Sequence, residues 1–342
     1  MLSKRIKYED FLEIKGKSLL EFKDGNSILC IAPNIGGRVF AFMDGLSLHR
    51  IDLENIKNPN RPFNNFGGGN LWPAPEGGKF GFNYRGNEWY VQECINSQPY
   101  NILLYNKNSA VIEKEIVLVN RSNTIFNVIM KRKISICDIP PFFKEWNISN
   151  SITYISEDSF EVLNDVRVEN GLIAAWTLEQ FDANENTISF CLVNSPENAI
   201  NFDFYEPPIE KIVYYKKGFT YQTDGMKRGQ IGIKRKSNPK AIGFIDFEQK
   251  IVCIRQNLSS TKNGLYFNIA DNEQPGGVFS AEDTYSIFNS SEDMRFFELE
   301  TIGCSDINCG KVIGSTLVSL TSFAFFENIE ELKTWKFLDE VI

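Results

Sequence analysis

Glu298 and Glu300 stand one residue apart in Met294-Arg-Phe-Phe-Glu298-Leu-Glu300-Thr301. On an extended backbone they share a face, about 6.5–7 Å apart along the strand. Phe297, Leu299 and Thr301 take the other face. Two carboxylates this close repel each other unless a cation, a partner or a raised pKa relieves them. Paired carboxylates can do general acid and base work on sugars. The plain alternative is a solvated acidic stripe with an Arg or Lys opposite.

Two further stretches combine aromatic and polar groups. "GGGNLWPAPEGG", residues 67 to 78, places Trp72 and Glu76 among glycines and prolines, with Lys79 following. So much backbone punctuation predicts a tight turn rather than a regular strand. Its glycines allow close approach of backbone to a ligand. A flat aromatic beside hydrogen-bonding groups suits a sugar, whose C–H face stacks while its hydroxyls need donors and acceptors. In Ala174-Ala-Trp176-Thr-Leu-Glu179-Gln180-Phe181, a strand puts Trp176, Leu178 and Gln180 on one face and Thr177, Glu179 and Phe181 on the other. Either face mixes polar and apolar groups. His49 is the sole histidine. Set in Leu46-Ser-Leu48-His49-Arg50, it is expected at a non-catalytic loop or edge position. Without it no Ser-His-Asp triad or Cys-His pair can be built.

These groups need a scaffold. The chain has 342 residues, a net charge of −8 and a pI near 5.0. Nucleic acids and anionic membranes call for basic patches, so neither is expected as a partner. No apolar run approaches the roughly 20 residues of a membrane helix. No apolar segment follows the basic N-terminus, so a cytoplasmic location is expected, or a periplasmic one if an export signal precedes it. The seven cysteines contain no Cys-x-x-Cys pair and read as reduced thiols. With a single histidine no zinc site is expected. No cofactor is expected, no metal ligand is singled out, and oxygen-ligand metal sites leave no spacing to read. There is no Walker loop, G-x-G-x-x-G or H-E-x-x-H.

Short runs of β-branched and aromatic residues alternate with Asn, Gly, Asp and Ser. Ser27 to Ala32 and Arg38 to Met43 flank a Pro33–Gly37 turn as one hairpin. Ala110 to Val119 and Thr124 to Ile136 form another. Ser151 to Ile155, Ser159 to Val162, Leu172 to Leu178 and Leu265 to Ile269 are among the further strand candidates. Phe11 and Leu12 suggest one turn of helix. The segment Asn328 to Leu338 suggests a C-terminal helix, with Asn328 as N-cap and Leu332 and Trp335 on one face. The Asn58–Asn65 segment reads as a long loop. Together these predict an all-β fold, a large antiparallel sandwich spanning residues 1–342 as a single domain.

"GGGNLWPAPEGGKFGF", preceded by "LHRIDLEN" and followed in order by "AAWTLEQF", "TDGMKRGQIGI" and "FFELETIG", resembles uncharacterised bacterial proteins of the galactose-mutarotase-like superfamily. The resemblance spans about residues 28 to 325. It implies a β-supersandwich with a carbohydrate-binding cleft. In aldose 1-epimerases of this kind, a glutamate in a Leu-Glu-Thr stretch takes the proton of the anomeric hydroxyl while a histidine protonates the ring oxygen. Leu299-Glu300-Thr301 matches that stretch, so the resemblance makes Glu300 the base. The "LWP" at 71 to 73 is similar to a substrate loop of hexose-phosphate epimerases, which makes Trp72 a cleft residue. "DGMKRGQIGI" matches an Asp-Gly…Arg stretch and brings in Arg228, an arginine suited to carboxylates or phosphates. The epimerase histidines have no counterpart around Trp176–Glu179. The acid candidates are therefore Glu179 and Glu298, with Tyr285 a weaker choice.

Three readings follow. One is an aldose 1-epimerase-like isomerase with Glu300 as base. Another is a sugar-binding protein that has lost the acid, with Trp72, Glu76, Lys79, Trp176, Gln180, Arg228 and Tyr285 as contacts. A third is an accessory protein in glycan degradation, although glycosidase carboxylates must flank a bond from different sides. The partner in each is a mono- or oligosaccharide, phosphorylated, acidic or neutral. The sequence leaves the oligomeric state open.

Overall fold

In the computed structural model, residues 5–15, 18–59, 63–140, 148–259, 264–270 and 277–339 are described. Two large antiparallel sheets dominate. The first runs, in spatial order, Leu20–Asp24, Ser27–Ala32, Arg38–Met43, Gly69–Ala74, Ala174–Asp182, Phe296–Ile302, Asp283–Asn289, Gly229–Lys234 and Ile200–Asn201. The second runs Ile212–Tyr215, Gly218–Gln222, Thr187–Leu192, Ala241–Asp246, Ile251–Asn257, Lys311–Phe326, Ile148–Val162, Ile125–Ile136, Ser109–Val119 and Asn101–Tyr105. The fold is thus the all-β sandwich that the strand pattern predicts. A two-stranded ribbon, Tyr84–Arg85 paired with Glu88–Trp89, stands apart from both sheets.

The alternation of side chains separates the two faces of the first sheet. Leu71, Phe181, Phe297 and Leu299 point between the sheets and are fully buried. The Phe181, Phe244 and Phe297 rings pack there with centroids 4.8 to 5.3 Å apart. Burying each such side chain contributes about 1.5–3 kcal/mol. Arg132 donates to Asp158 at 2.7 Å and to the carbonyls of Gly37 and Gly69, so it pins the start of the Gly69–Ala74 strand.

Several local expectations are corrected. The turn predicted for residues 67 to 78 is a turn only at its ends, because Gly69–Ala74 is a buried interior strand. Gly67 and Gly68 make the entry. Both have positive φ, and a Cβ on Gly67 would overlap the Arg50 carbonyl. Pro73 is tolerated because Arg38–Met43 pairs with this strand only at Val39–Gly69, so no ladder bond is required on that side further on. Ser151–Ile155 and Ser159–Val162 are one strand, Ile148–Val162. Leu265–Ile269 makes only an isolated bridge, from Leu265 to Ser305. The N-terminal helix spans Tyr8–Lys15, with Phe11 packed on Phe40 and Phe42. The helical C-terminus is present as two 3-10 segments, Ile329–Thr334 and Lys336–Leu338, which Asn328 does not cap through its side chain. Trp335 anchors it against Phe190 and Phe247. Of the Asn58–Asn65 loop, residues 60–62 lie outside the described ones, and the rest has no regular structure. None of the seven cysteines forms a disulfide.

Candidate active site

The outward face of the first sheet floors a cavity of about 480 Å³. Six adjacent strands, from Arg38–Met43 to Gly229–Lys234, supply that floor, and strand register decides which side chains reach it. Gln180 lies opposite Glu298 and Leu178 opposite Glu300, while Glu300 in turn faces Ser286 and Glu298 faces Phe288. Trp72 is the cross-strand partner of Trp176, so both indoles stand on the same face. Trp72, Glu76, Trp176, Gln180, Arg228, Glu298 and Glu300, all singled out in the sequence, line this one cavity.

The two glutamates are buried, Glu300 fully and Glu298 at 9% exposure. They are hydrogen-bonded to one another. Gln180 Nε2 donates to Glu298 Oε1 at 2.7 Å, and Trp176 Nε1 donates to Glu300 Oε2 at 2.9 Å. Gln230 Nε2 donates to Ser286 Oγ at 2.9 Å and reaches both Glu300 oxygens at 3.4 Å. Ser286 is a further partner of Glu300. Burial pushes the Glu298 carboxyl up to about 7, against the lowering pull of Gln180, Arg38 and Arg50. Burial, reinforced by the charge of Glu298, raises Glu300 well above the usual carboxylate range. The two therefore titrate as a unit that keeps a proton near neutral pH. The solvated acidic stripe is thereby excluded.

This raised carboxyl has a consequence for stability. A group whose pKa is higher folded than unfolded stabilises most below its unfolded value, and loses that contribution as pH rises through its folded value. The parent protein is accordingly expected to lose thermal stability between about pH 4.5 and pH 7 relative to Glu298→Gln, since the window runs from the ordinary carboxylate pKa to about 7. Asp283, also raised to about 7 by burial, is common to both proteins and cancels in the comparison. Melting curves across that range check this, and parallel curves would contradict it.

Three candidates lie elsewhere. Glu179 is on the opposite side of its strand, opposite Leu299, and points between the sheets. There it accepts from Tyr154 Oη at 2.7 Å and Thr321 Oγ1 at 3.2 Å, and pairs with Arg255 at 3.3 Å. Burial alone would raise it, but Arg255 and His49 outweigh burial and hold it at about 2. A carboxylate so held cannot donate a proton, so Glu179 is not the acid. Tyr285 also points inward, where its hydroxyl accepts from the Asn257 amide at 2.7 Å. Lys79 is exposed, reaches the Glu169 carbonyl and lies 4.9 Å over the Phe80 ring, away from the cavity. His49 corrects its own expectation, being only 1% exposed. The Ala41 amide donates to its Nδ1 at 2.9 Å, which puts the ring proton on Nε2, where it meets Glu179 at 3.1 Å. It supports the core and does not reach the cavity.

Sequence reasoning missed several lining residues: Arg38, Asn70, Gln230, and the aromatic wall of Phe63, Tyr84, Trp89, Tyr205 and Phe296. Asn70 is the most informative. It is 3% exposed, two residues from Trp72 on the same strand face, and neither end of its amide meets a protein partner among the described residues. Leaving a buried amide unmet costs about 1–3 kcal/mol. The available signal was alternation: Asn70 shares the parity of Trp72 once residues 69–74 are read as a strand. At the rim, the Arg228 guanidinium stacks 3.7 Å over the Tyr205 ring.

An all-β sandwich with a buried acid pair under an aromatic-walled pocket is the class that fold and site define. The chain belongs to the family described as "Family of unknown function (DUF6786)", which matches residues 7–308. No curated protein matches it. Solved structures similar to it include a candidate aldose 1-epimerase from Escherichia coli K12, with 10% identity, a TM-score of 0.49, and coverage of 90% of this chain and 98% of that one. A galactose mutarotase-like protein from Lactobacillus casei gives 10% identity, a TM-score of 0.48, and coverage of 90% and 99%. A galactose mutarotase related enzyme from Lactobacillus acidophilus gives 8% identity, a TM-score of 0.49, and coverage of 95% and 99%.

Proposed function

We propose that the protein binds a saccharide in this cavity and interconverts its anomers, with Glu298 and Glu300 as the acid and base. The observation that carries this reading is the buried, adjacent glutamate pair on the floor of an aromatic pocket. Ring opening needs one proton removed from the anomeric hydroxyl and one delivered to the ring oxygen. Both oxygens are bonded to the same carbon, so a base and an acid on one side of the sugar suffice. As the hydroxyl proton leaves, the C1=O bond forms and the C1–ring-oxygen bond breaks, and the ring oxygen takes the acid's proton. The same steps reversed on the other face of C1 give the other anomer.

Hydrogen bonding supports the division of roles. Trp176, Ser286 and Gln230 converge on Glu300, whereas among the described residues Gln180 is the neutral side chain that donates to Glu298. Donors stabilise the charged form, whereas burial and the charge of Glu298 favour a proton on Glu300. Glu300 therefore acts as base once that proton has passed to Glu298, which then takes the acid role that a histidine fills in the epimerases the sequence resembles. The site residues carry few formal charges to spare: the arginines Arg38 and Arg228 stand against Glu76 and a partly protonated pair. That balance suits a neutral sugar. Proton-exchange NMR or polarimetry on glucose, galactose and their 6-phosphates tests the reading. Interconversion at the buffer rate for every sugar, at all protein concentrations, would remove it.

Asn70 supplies a second check. Its amide offers a donor and an acceptor together, the combination that reads two neighbouring hydroxyls. Asn70→Ala is expected to weaken saccharide binding about tenfold, roughly the 1.4 kcal/mol of a hydrogen bond lost. Asn70→Leu is expected to melt no lower than the parent in the absence of sugar, because it removes an unmet polar group. Calorimetry and thermal melts measure the two effects. Unchanged binding in Asn70→Ala would take Asn70 out of the site.

A further inference from the structure

The aromatic wall extends beyond what one sugar ring over the acid pair needs. From Trp176, whose indole is bonded to Glu300, the rings step outward to Trp72 at 6.1 Å, to Phe63 at 6.0 Å and to Trp89 at 5.3 Å, each edge to face. Trp176 and Trp72 are buried, but Trp89 at the rim is 44% exposed. An exposed tryptophan lining a cavity offers a binding surface rather than core packing.

The chemistry left to Trp89 is narrow. Its indole N–H already donates to Glu76 Oε1 at 3.0 Å. What remains is the ring face, which suits C–H groups. Its cross-strand partner Tyr84 lines the same cavity. The ribbon that carries both is braced from outside. Arg121 donates to the Gly86 carbonyl and to Asn87 Oδ1, each at 3.0 Å, and its guanidinium lies 5.1 Å from the Tyr84 ring. A braced ring pays little ordering entropy when a ligand arrives. The cavity, about 480 Å³, falls within the range of pockets that enclose ligands larger than a monosaccharide.

We infer that the ligand is an oligosaccharide of at least two units, its reducing unit over Glu298 and Glu300 and the next unit stacked against Trp89 and Tyr84. This rests on the saccharide reading above. Because ring opening requires a free anomeric hydroxyl, the reducing end is the one that goes inward.

The test is a ratio of affinities measured by calorimetry. Glucose, galactose and mannose are compared with maltose, cellobiose, lactose and mannobiose, on the intact protein and on two variants. The best disaccharide is expected to bind at least about tenfold more tightly than its reducing monosaccharide. In Trp89→Ala that ratio is expected to fall toward one, while Trp89→Phe, which keeps a ring, retains part of it. A ratio near one in the parent, or one that Trp89→Ala leaves unchanged, overturns the second subsite alone. A ratio as low in Trp89→Phe as in Trp89→Ala traces the loss to the ribbon and overturns stacking. If none of these sugars binds, the saccharide reading fails and this inference fails with it.

Discussion

Glu300→Gln is expected to lower the rate of anomer interconversion by about 10²–10⁴-fold, the usual weight of one positioned acid or base. The substitution keeps the side chain's size and can still accept from Trp176, so it isolates proton transfer from packing. Saccharide binding is expected to survive, giving a fall in kcat larger than any rise in KM. Glu298→Gln is expected to act at the same step, and the double variant to lose little more than either single one, because the two share one proton. Polarimetry on the freshly dissolved α-anomer reads all three proteins. A Glu300→Gln rate equal to that of the parent would remove Glu300 from the chemistry, and losses that multiply in the double variant would separate the pair into independent groups.

Arg255→Met is expected to cost about 3–5 kcal/mol of folding stability, the usual penalty for breaking a buried ion pair from one side. Arg255 is fully buried between the sheets. It holds Glu179 at 3.3 Å, donates to Thr177 Oγ1 at 2.9 Å and reaches the Leu299 carbonyl at 2.5 Å. It thus ties together the two strands that carry Gln180, Glu298 and Glu300 on their far side. Removing it strands the Glu179 carboxylate. Adding Glu179→Leu is expected to recover about half of the loss, since an apolar replacement of both partners is often well tolerated. The sign with pH is opposite to that of Glu298. Glu179 is held at about 2, so its contribution is present above the ordinary carboxylate range and is lost as pH falls through about 2. Urea unfolding measures these changes. A loss below about 1 kcal/mol in Arg255→Met would show that the pair merely fills space.

Much of the site was legible through alternation. Trp176 and Gln180 on one side of a strand, and Glu298 and Glu300 on one side of another, follow from the period of two alone. The register that sets Gln180 opposite Glu298 and Trp72 opposite Trp176 was not legible, because no local rule aligns strands more than a hundred residues apart. The same period told against Glu179, which has the parity of Thr177 and Phe181, but without knowing which face met the second sheet its inward turn could not be read. Residues 69–74 were misread since glycine and proline ordinarily end strands. Here the short pairing at Val39–Gly69 leaves room for Pro73.

His49 marks the same boundary. A lone histidine among charged neighbours reads as a surface residue, yet the core closes over it because Glu179 and the Ala41 amide satisfy both ring nitrogens. By itself the sequence determined an all-β sandwich, the strand faces and the acid pair, since these depend on neighbours within a few residues. Only the tertiary structure decided that the pair is buried, that Asn70 and Trp89 line the same cavity, and that Glu179, Lys79 and Tyr285 do not. Burial and cross-strand contact are properties of the assembled sheets, and they set both the proton affinity of Glu298 and Glu300 and the company they keep.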